Sequence, residues 1–189
     1  MNYCLKCGTP LVPRFEGGRD RQACPQCGYV FFGEFSIGVG GVVLRDGKAL
    51  LIRRGQEPFS GWWQIPGGYV EHDEEIEHAV EREVYEESGI RARATGVLGI
   101  RNSLGQPSTN VYVIFAMELL AGEPQSDDAE VTGVGFFSLE EIEAMPRAQN
   151  LSKWAIRTAL AGREPLVRVE ELNLRRPGYL LYGLRGERS

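Results

Sequence analysis

The apolar residues of this chain arrive in two rhythms. From Ile37 onward, short Val- and Ile-rich runs end in turn residues, as strands do. IGVGGVVLR (Ile37 to Arg45) leads into Asp46-Gly47, a hairpin turn signal, and ALLIRR (Ala49 to Arg54) predicts the returning strand. The loop GQEPFSGWWQIPGG is punctuated by Pro and Gly. Then the period lengthens. Ile76, Val80 and Val84 recur at helical spacing and predict a helix over Asp73 to Ser88, stopped by Gly89. Further strands are predicted at Ala94–Arg101, Asn110–Leu119 and Gly133–Phe137, and helices at Leu139–Ala144 and Leu151–Ala161. Strands interleaved with helices imply an α/β layered domain. The basic stretch from Arg163 to Ser189 reads as an edge hairpin, a dimer contact or a loose tail.

The long helix carries an anomaly. At 100° per residue, Ile76, Val80 and Val84 form one apolar stripe with Ala79 at its edge. Glu83 and Glu87 fall within that stripe, and Glu86 lies beside Ala79. Glu74, His78, Glu81 and Tyr85 occupy the opposite, solvated side. Carboxylates on an inward face lose hydration and repel one another. Arg82 supplies one i,i+4 partner, for Glu86. A hard divalent cation with oxygen ligands is one solution, and magnesium fits it. A helix that runs past the core, with its last turn in water, is the other.

Charge makes the anomaly local. The 189 residues carry a net charge of −5, yet nine acids and one base lie between Glu71 and Glu87. The rest of the chain is slightly basic, so the acidity suits a cation site, and binding to bulk nucleic acid is not expected. No apolar run approaches the roughly 20 residues that span a bilayer. The N-terminus lacks the apolar core of a signal peptide, so the expected location is cytoplasmic, with no membrane partner.

Cys4, Cys7, Cys24 and Cys27 form C-x2-C, sixteen residues, C-x2-C. This spacing suits a four-thiolate zinc site, and Gly8 and Gly28 permit the positive φ of each turn. Two disulfides or a redox pair are the alternatives. A closed four-sulfur site has no open position, so such a zinc is structural. The segment predicts a metal-dependent module over residues 1–33, with a linker near Tyr29 to Phe35.

A longer pattern joins these features. Gly68, five residues, Glu74, seven residues and Arg82-Glu83-Val84-Tyr85-Glu86-Glu87-Ser88-Gly89-Ile90 resemble the Nudix box at every specified position. Chance would match so many positions in fewer than about one window in a million. GWWQIPGGYVE resembles the lead-in usual for MutT-like Nudix hydrolases, and the resemblance covers about residues 36–160. It implies an α/β/α sandwich with a mixed sheet over residues 34–162, and leaves residues 163–189 as an extension of unknown role. It implies hydrolysis of a nucleoside diphosphate linked to another group, releasing a nucleoside monophosphate. Magnesium or manganese would be held by Glu83, Glu86, Glu87 and the Gly68 carbonyl. The base would be one of these glutamates or a later carboxylate among Glu123, Asp127, Asp128 and Glu130, with Glu130 preferred.

Arg54, and secondarily Arg101, are candidates to hold phosphate. Phe59, Trp62, Trp63 and Tyr69 are candidates for base stacking or plain packing. His72 and His78 are assigned no role. A four-cysteine ribbon before a Nudix domain is similar to two subgroups, NADH pyrophosphatases and a group resembling plant FAD pyrophosphatases. The first carries SQPWPFPxS, whereas GIRNSLGQPSTNVYVIF keeps only Gln-Pro and a following Ser. The second fits better, and ADP-ribose, FAD and NADH all stay open as substrates. Family habit leaves a homodimer open. The alternative functions are a Nudix-fold nucleotide sensor with nucleic-acid contacts through the ribbon, and a structural adaptor.

Overall fold

The structure, a computed structural model, describes residues 1–104, 109–126, 130–169 and 181–184. Two compact units emerge, one built on Met1–Phe35 and the other beginning at Ser36.

The first unit holds three antiparallel strands in the order β1 (Val12–Glu16), β2 (Arg19–Ala23) and β3 (Val30–Phe31). Apolar patterning does not foretell them, because every residue of β1 is exposed and neither face needs to be apolar. The legible signal is the Gly17-Gly18 pair between them. Both glycines have positive φ, 58° and 80°, as a two-residue hairpin turn requires. Its buried apolar core is small, Cys4, Ala23 and Cys24, so packing alone offers this unit little stability.

The second unit is a layered α/β sandwich. Its sheet runs β6 (Trp63–Gln64), β5 (Lys48–Arg54), β4 (Phe35–Arg45), β8 (Thr109–Ala121), β7 (Arg91–Ser103), and β9 (Val131–Phe137) pairs with β5. The β4–β5, β5–β6, β5–β9 and β7–β8 pairs are antiparallel. Between β4 and β8 the residue numbers climb together. Ser36 hydrogen-bonds Asn110, Gly38 abuts Tyr112, and Gly41 abuts Met117. That is the sense of a parallel pair, so the sheet is mixed.

Strand alternation sorts side chains between two cores. Val39, Val43, Leu50 and Phe115 face helix α1 (Ile76–Ser88), meeting Val80 and Val84. Val42, Leu51 and Ile114 face the other way, toward Ile142 of α2 (Leu139–Ala144) and Ala155 and Ile156 of α3 (Asn150–Leu160). Each large side chain so buried contributes about 1.5–3 kcal/mol. Gly41 lets α1 come close, since a Cβ there would lie 2.8 Å from Val84.

Several boundaries differ from the sequence reading. Helix α1 begins at Ile76 rather than Asp73, because the Glu74 carboxylate accepts the Glu71 N–H at 2.9 Å and bends the chain there. Strand β7 starts at Arg91, and β6 lies inside the expected loop. Part of the final stretch is not loose. Leu166 exchanges two backbone hydrogen bonds with Val97, and β10 (Val167–Arg168) pairs antiparallel with β11 (Tyr182–Gly183). No described helix is long and apolar enough to cross a membrane.

Candidate active site

Arg82 is the hub of the acidic cluster. Its Nη2 and Nε donate to the two carboxylate oxygens of Glu74 at 2.7 and 3.2 Å. Its Nη1 donates to Glu83 at 2.9 Å and to Glu86 at 3.0 Å, and Nη2 also reaches the Tyr69 carbonyl at 3.2 Å. The planar fork of a guanidinium allows this shared service. Glu74 therefore does not belong to the solvated face of α1. It precedes the helix, is only 17% exposed, and is held below the usual carboxylate range by its hydrogen bonds to Arg82.

The three box glutamates are not equivalent. Glu86 is 56% exposed, so it is not turned inward, whereas Glu83 is 16% exposed. Burial pushes the Glu83 carboxyl up despite Arg82. Glu87 is partly buried, and no ion pair to it is found among the described residues. Burial pushes its carboxyl from an ordinary 4.5 up to about 8, against the Gly67 N–H that donates to it at 2.7 Å. The field of Glu83 raises it further, Arg54 opposes, and Glu130 adds a smaller push upward.

The loop Gly67-Gly68 approaches this cluster because it has no side chains. A Cβ at Gly68 would lie 2.5 Å from the Glu83 carboxylate, and one at Gly67 would lie 2.1 Å from the Val39 carbonyl. The Gly68 carbonyl accepts the Val39 N–H at 2.9 Å, and a carbonyl oxygen retains a second lone pair. The Glu83 and Glu87 carboxyls, both raised by burial, could offer oxygen donors of the kind a hard divalent cation takes.

Gly67 and Gly68 also border a cavity of about 440 Å³. Both Arg54 and Arg101 line it. Arg54 stands at the end of β5 with its Nε on the Pro58 carbonyl at 3.0 Å, and Arg101 lies over the Tyr112 ring at 5.3 Å. Phe59 and Tyr69 line the same cavity, while Trp63 packs edge-on against Phe137 and Trp62 against Phe59.

The late carboxylates separate. Glu130 is exposed, 3.5 Å from the Gln56 amide, and its backbone carbonyl accepts the Gly55 N–H. Glu123 is engaged with Arg45 at 3.2 Å. Asp127 and Asp128 lie outside the described residues, as do Gln106, Pro107 and Ser108 of the Gln-Pro stretch. His72 and His78 are exposed. Sequence reasoning missed Tyr112, Gln64 and Gln149, which line the cavity from three separate segments. Nothing local signals their meeting.

The four cysteine sulfurs in the first unit lie within 4.8 Å of one another. Cys4–Cys27 and Cys7–Cys24 are 3.5 Å apart and Cys7–Cys27 is 3.6 Å, far beyond a disulfide bond of about 2.05 Å. A tetrahedron with zinc–sulfur arms of about 2.3 Å has edges of about 3.8 Å, close to these spacings. The Lys6 and Cys27 N–H groups donate to Cys4 and Cys24 sulfurs at 3.4 Å. Gly8 and Gly28 both take positive φ. The cluster can hold zinc.

A sequence model of the NUDIX domain matches residues 34–157. The chain belongs to the Nudix family. An ADP-ribose pyrophosphatase from Methanocaldococcus jannaschii is 32% identical over 57% of this chain and 64% of its own. An NAD-capped RNA hydrolase NudC from Chromobacterium violaceum is 27% identical over 83% of this chain and 57% of its own. This Nudix chain thus spans less than two thirds of the length of either curated relative. Among solved structures, a NUDIX hydrolase from Nitrosomonas europaea superposes with a TM-score of 0.73 at 25% identity, over 86% of this chain and 92% of its own. The α/β sandwich is accordingly the Nudix fold, and Nudix enzymes use divalent metals.

Proposed function

We propose that this protein is a divalent-metal-dependent pyrophosphohydrolase. Its substrate would be a nucleoside diphosphate linked to another group, ADP-ribose or a dinucleotide such as FAD or NADH, and one product a nucleoside monophosphate. The observation that carries the reading is the pair of partly buried carboxylates, Glu83 and Glu87, set against the Gly67-Gly68 loop beside a cavity lined by Arg54 and Arg101. The names of the two relatives point to the same bond class.

Glu83, Glu86, Glu87 and the Gly68 carbonyl would hold magnesium or manganese. When bound, the ion screens the pyrophosphate charge and acidifies water. Arg54 and Arg101 place positive charge where an anionic diphosphate would lie. Arg82 positions Glu83 and Glu86 through its hydrogen bonds. A carboxylate, Glu130 or one of the box glutamates, takes the proton of the attacking water. The water oxygen bonds to phosphorus, the anhydride P–O bond breaks, and its electron pair leaves on the departing phosphate.

In this reading residues 1–33 are a structural zinc ribbon on Cys4, Cys7, Cys24 and Cys27, residues 34–162 are the Nudix domain, and residues 163–189 extend it. A hydrolysis screen tests the proposal. NADH, FAD, ADP-ribose, diadenosine polyphosphates and nucleoside triphosphates are offered with magnesium or manganese. Metal-dependent release of a nucleoside monophosphate supports it, and no turnover anywhere across the panel overturns it.

A further inference from the structure

Gln64 is one of three buried polar residues among those described, at 8% exposure. It borders the cavity together with Gln149. The Gln149 Nε2 donates to the Gln64 Oε1 at 2.7 Å. Gln149 stands at the N-cap of α3, yet its side chain makes no cap bond and turns to Gln64 instead. The backbone locks this meeting. Gln149 N–H donates to the Trp63 carbonyl at 2.9 Å, and Trp63 N–H to the Arg147 carbonyl at 2.7 Å. Next along β6, the Ile65 N–H donates to the Ser152 hydroxyl at 3.0 Å.

A primary amide offers two N–H donors and a carbonyl with two lone pairs. The single bond between the two glutamines uses one group from each. It leaves an amino group on one and a carbonyl on the other, with no other side-chain hydrogen bond among the described residues. Exchanging O and N on both amides only swaps which glutamine offers which. Either way, the two amides keep one uncommitted donor group and one uncommitted acceptor between them, and both residues line the cavity together with Phe59 and Tyr69. A flat heterocycle with an acceptor next to a donor on its edge matches this, and stacking on aromatic rings adds to it.

We propose that the Gln64–Gln149 pair reads the edge of the substrate's nucleobase, so that the base enters this cavity and the diphosphate lies toward Gly68 and Arg54. The inference rests on the pyrophosphohydrolase reading, but equilibrium binding tests it without turnover. Adenine offers its amino group beside N1, and guanine its O6 beside N1–H; because the pair is reversible, both fit. Gln149→Glu breaks that symmetry. The glutamate accepts from the Gln64 amino group and leaves two acceptors side by side, which suits the adjacent donors of guanine and not adenine.

The test is calorimetric binding of AMP, GMP and ribose 5-phosphate to the full chain with zinc and magnesium. The wild type should bind both nucleotides roughly ten-fold or more tighter than ribose 5-phosphate. Gln149→Glu should shift the AMP-to-GMP affinity ratio roughly ten-fold toward GMP. Gln149→Ala, which removes no cap bond, should weaken AMP and leave ribose 5-phosphate unchanged. Equal affinity of the wild type for AMP and ribose 5-phosphate would overturn the proposal. So would a Gln149→Glu protein that loses AMP and GMP by the same factor, or a Gln149→Ala protein that loses AMP and ribose 5-phosphate alike. A protein that shows the base pattern but hydrolyses nothing would refute the enzymatic reading alone.

Discussion

Replacing Glu87 by Gln should stabilise the magnesium-free protein at alkaline pH while weakening the proposed metal site. Folding raises the Glu87 carboxyl from 4.5 to about 8, mainly by burial. The folded state therefore holds this proton more tightly than the unfolded chain. Stability tied to Glu87 is greatest below about 4.5, falls as pH rises toward about 8, and is flat above that. The total loss is on the order of 5 kcal/mol. Glutamine keeps the shape and can still accept the Gly67 N–H, but it carries no charge. Urea unfolding followed by tryptophan fluorescence reads the right unit, because Trp62, Trp63 and Trp154 all lie beyond Ser36. With zinc retained and no magnesium, Gln should exceed Glu by several kcal/mol at about pH 9 and by under about 1 kcal/mol at about pH 5. Added magnesium should stabilise the wild type and not the variant. A Glu87→Gln protein less stable than wild type at about pH 9 without magnesium would refute the burial argument.

Other substitutions probe separate parts of the site. Gly68→Ala places a Cβ 2.5 Å from the Glu83 carboxylate, so Glu83 must move; kcat should fall roughly a hundred-fold, with the fold retained by circular dichroism. Arg54→Ala should raise KM roughly ten-fold with a smaller change in kcat, as loss of a phosphate contact does. Cys24→Ser should cut bound zinc below one per chain by elemental analysis and expose the first unit to protease, while the tryptophan unfolding transition persists.

Much of this was legible because some residues report on themselves. The wheel placed Glu83 and Glu87 on the apolar side of α1, and their burial in the structure agrees. It misplaced Glu86, which lies half exposed near the helix end, and Glu74, because a wheel extended through Asp73 assumes helix where the Glu71–Glu74 turn intervenes. The hairpin at Asp46-Gly47 and the helix Leu139–Ala144, with its Ser138–Glu141 capping box, are local and were readable. Strands β1 and β2 were not, because β1 is exposed throughout and only Ala23 of β2 is fully buried, which leaves no alternation to read. The Gln64–Gln149 pair was invisible for another reason: the two residues are far apart in sequence, and only the packing of α3 beside β6 joins them.

The cluster around Glu83 and Glu87 is proposed to make this Nudix domain a metal-dependent hydrolase. The most direct measurement is steady-state hydrolysis of ADP-ribose, or of the best substrate in the screen, by wild type and Glu87→Gln across a magnesium titration. Saturable dependence on magnesium is expected in the wild type, with a kcat at least about a hundred-fold lower in the variant, about 2.7 kcal/mol of barrier. Equal rates in the two proteins, or wild-type turnover unaffected by removing the divalent cation, would contradict it.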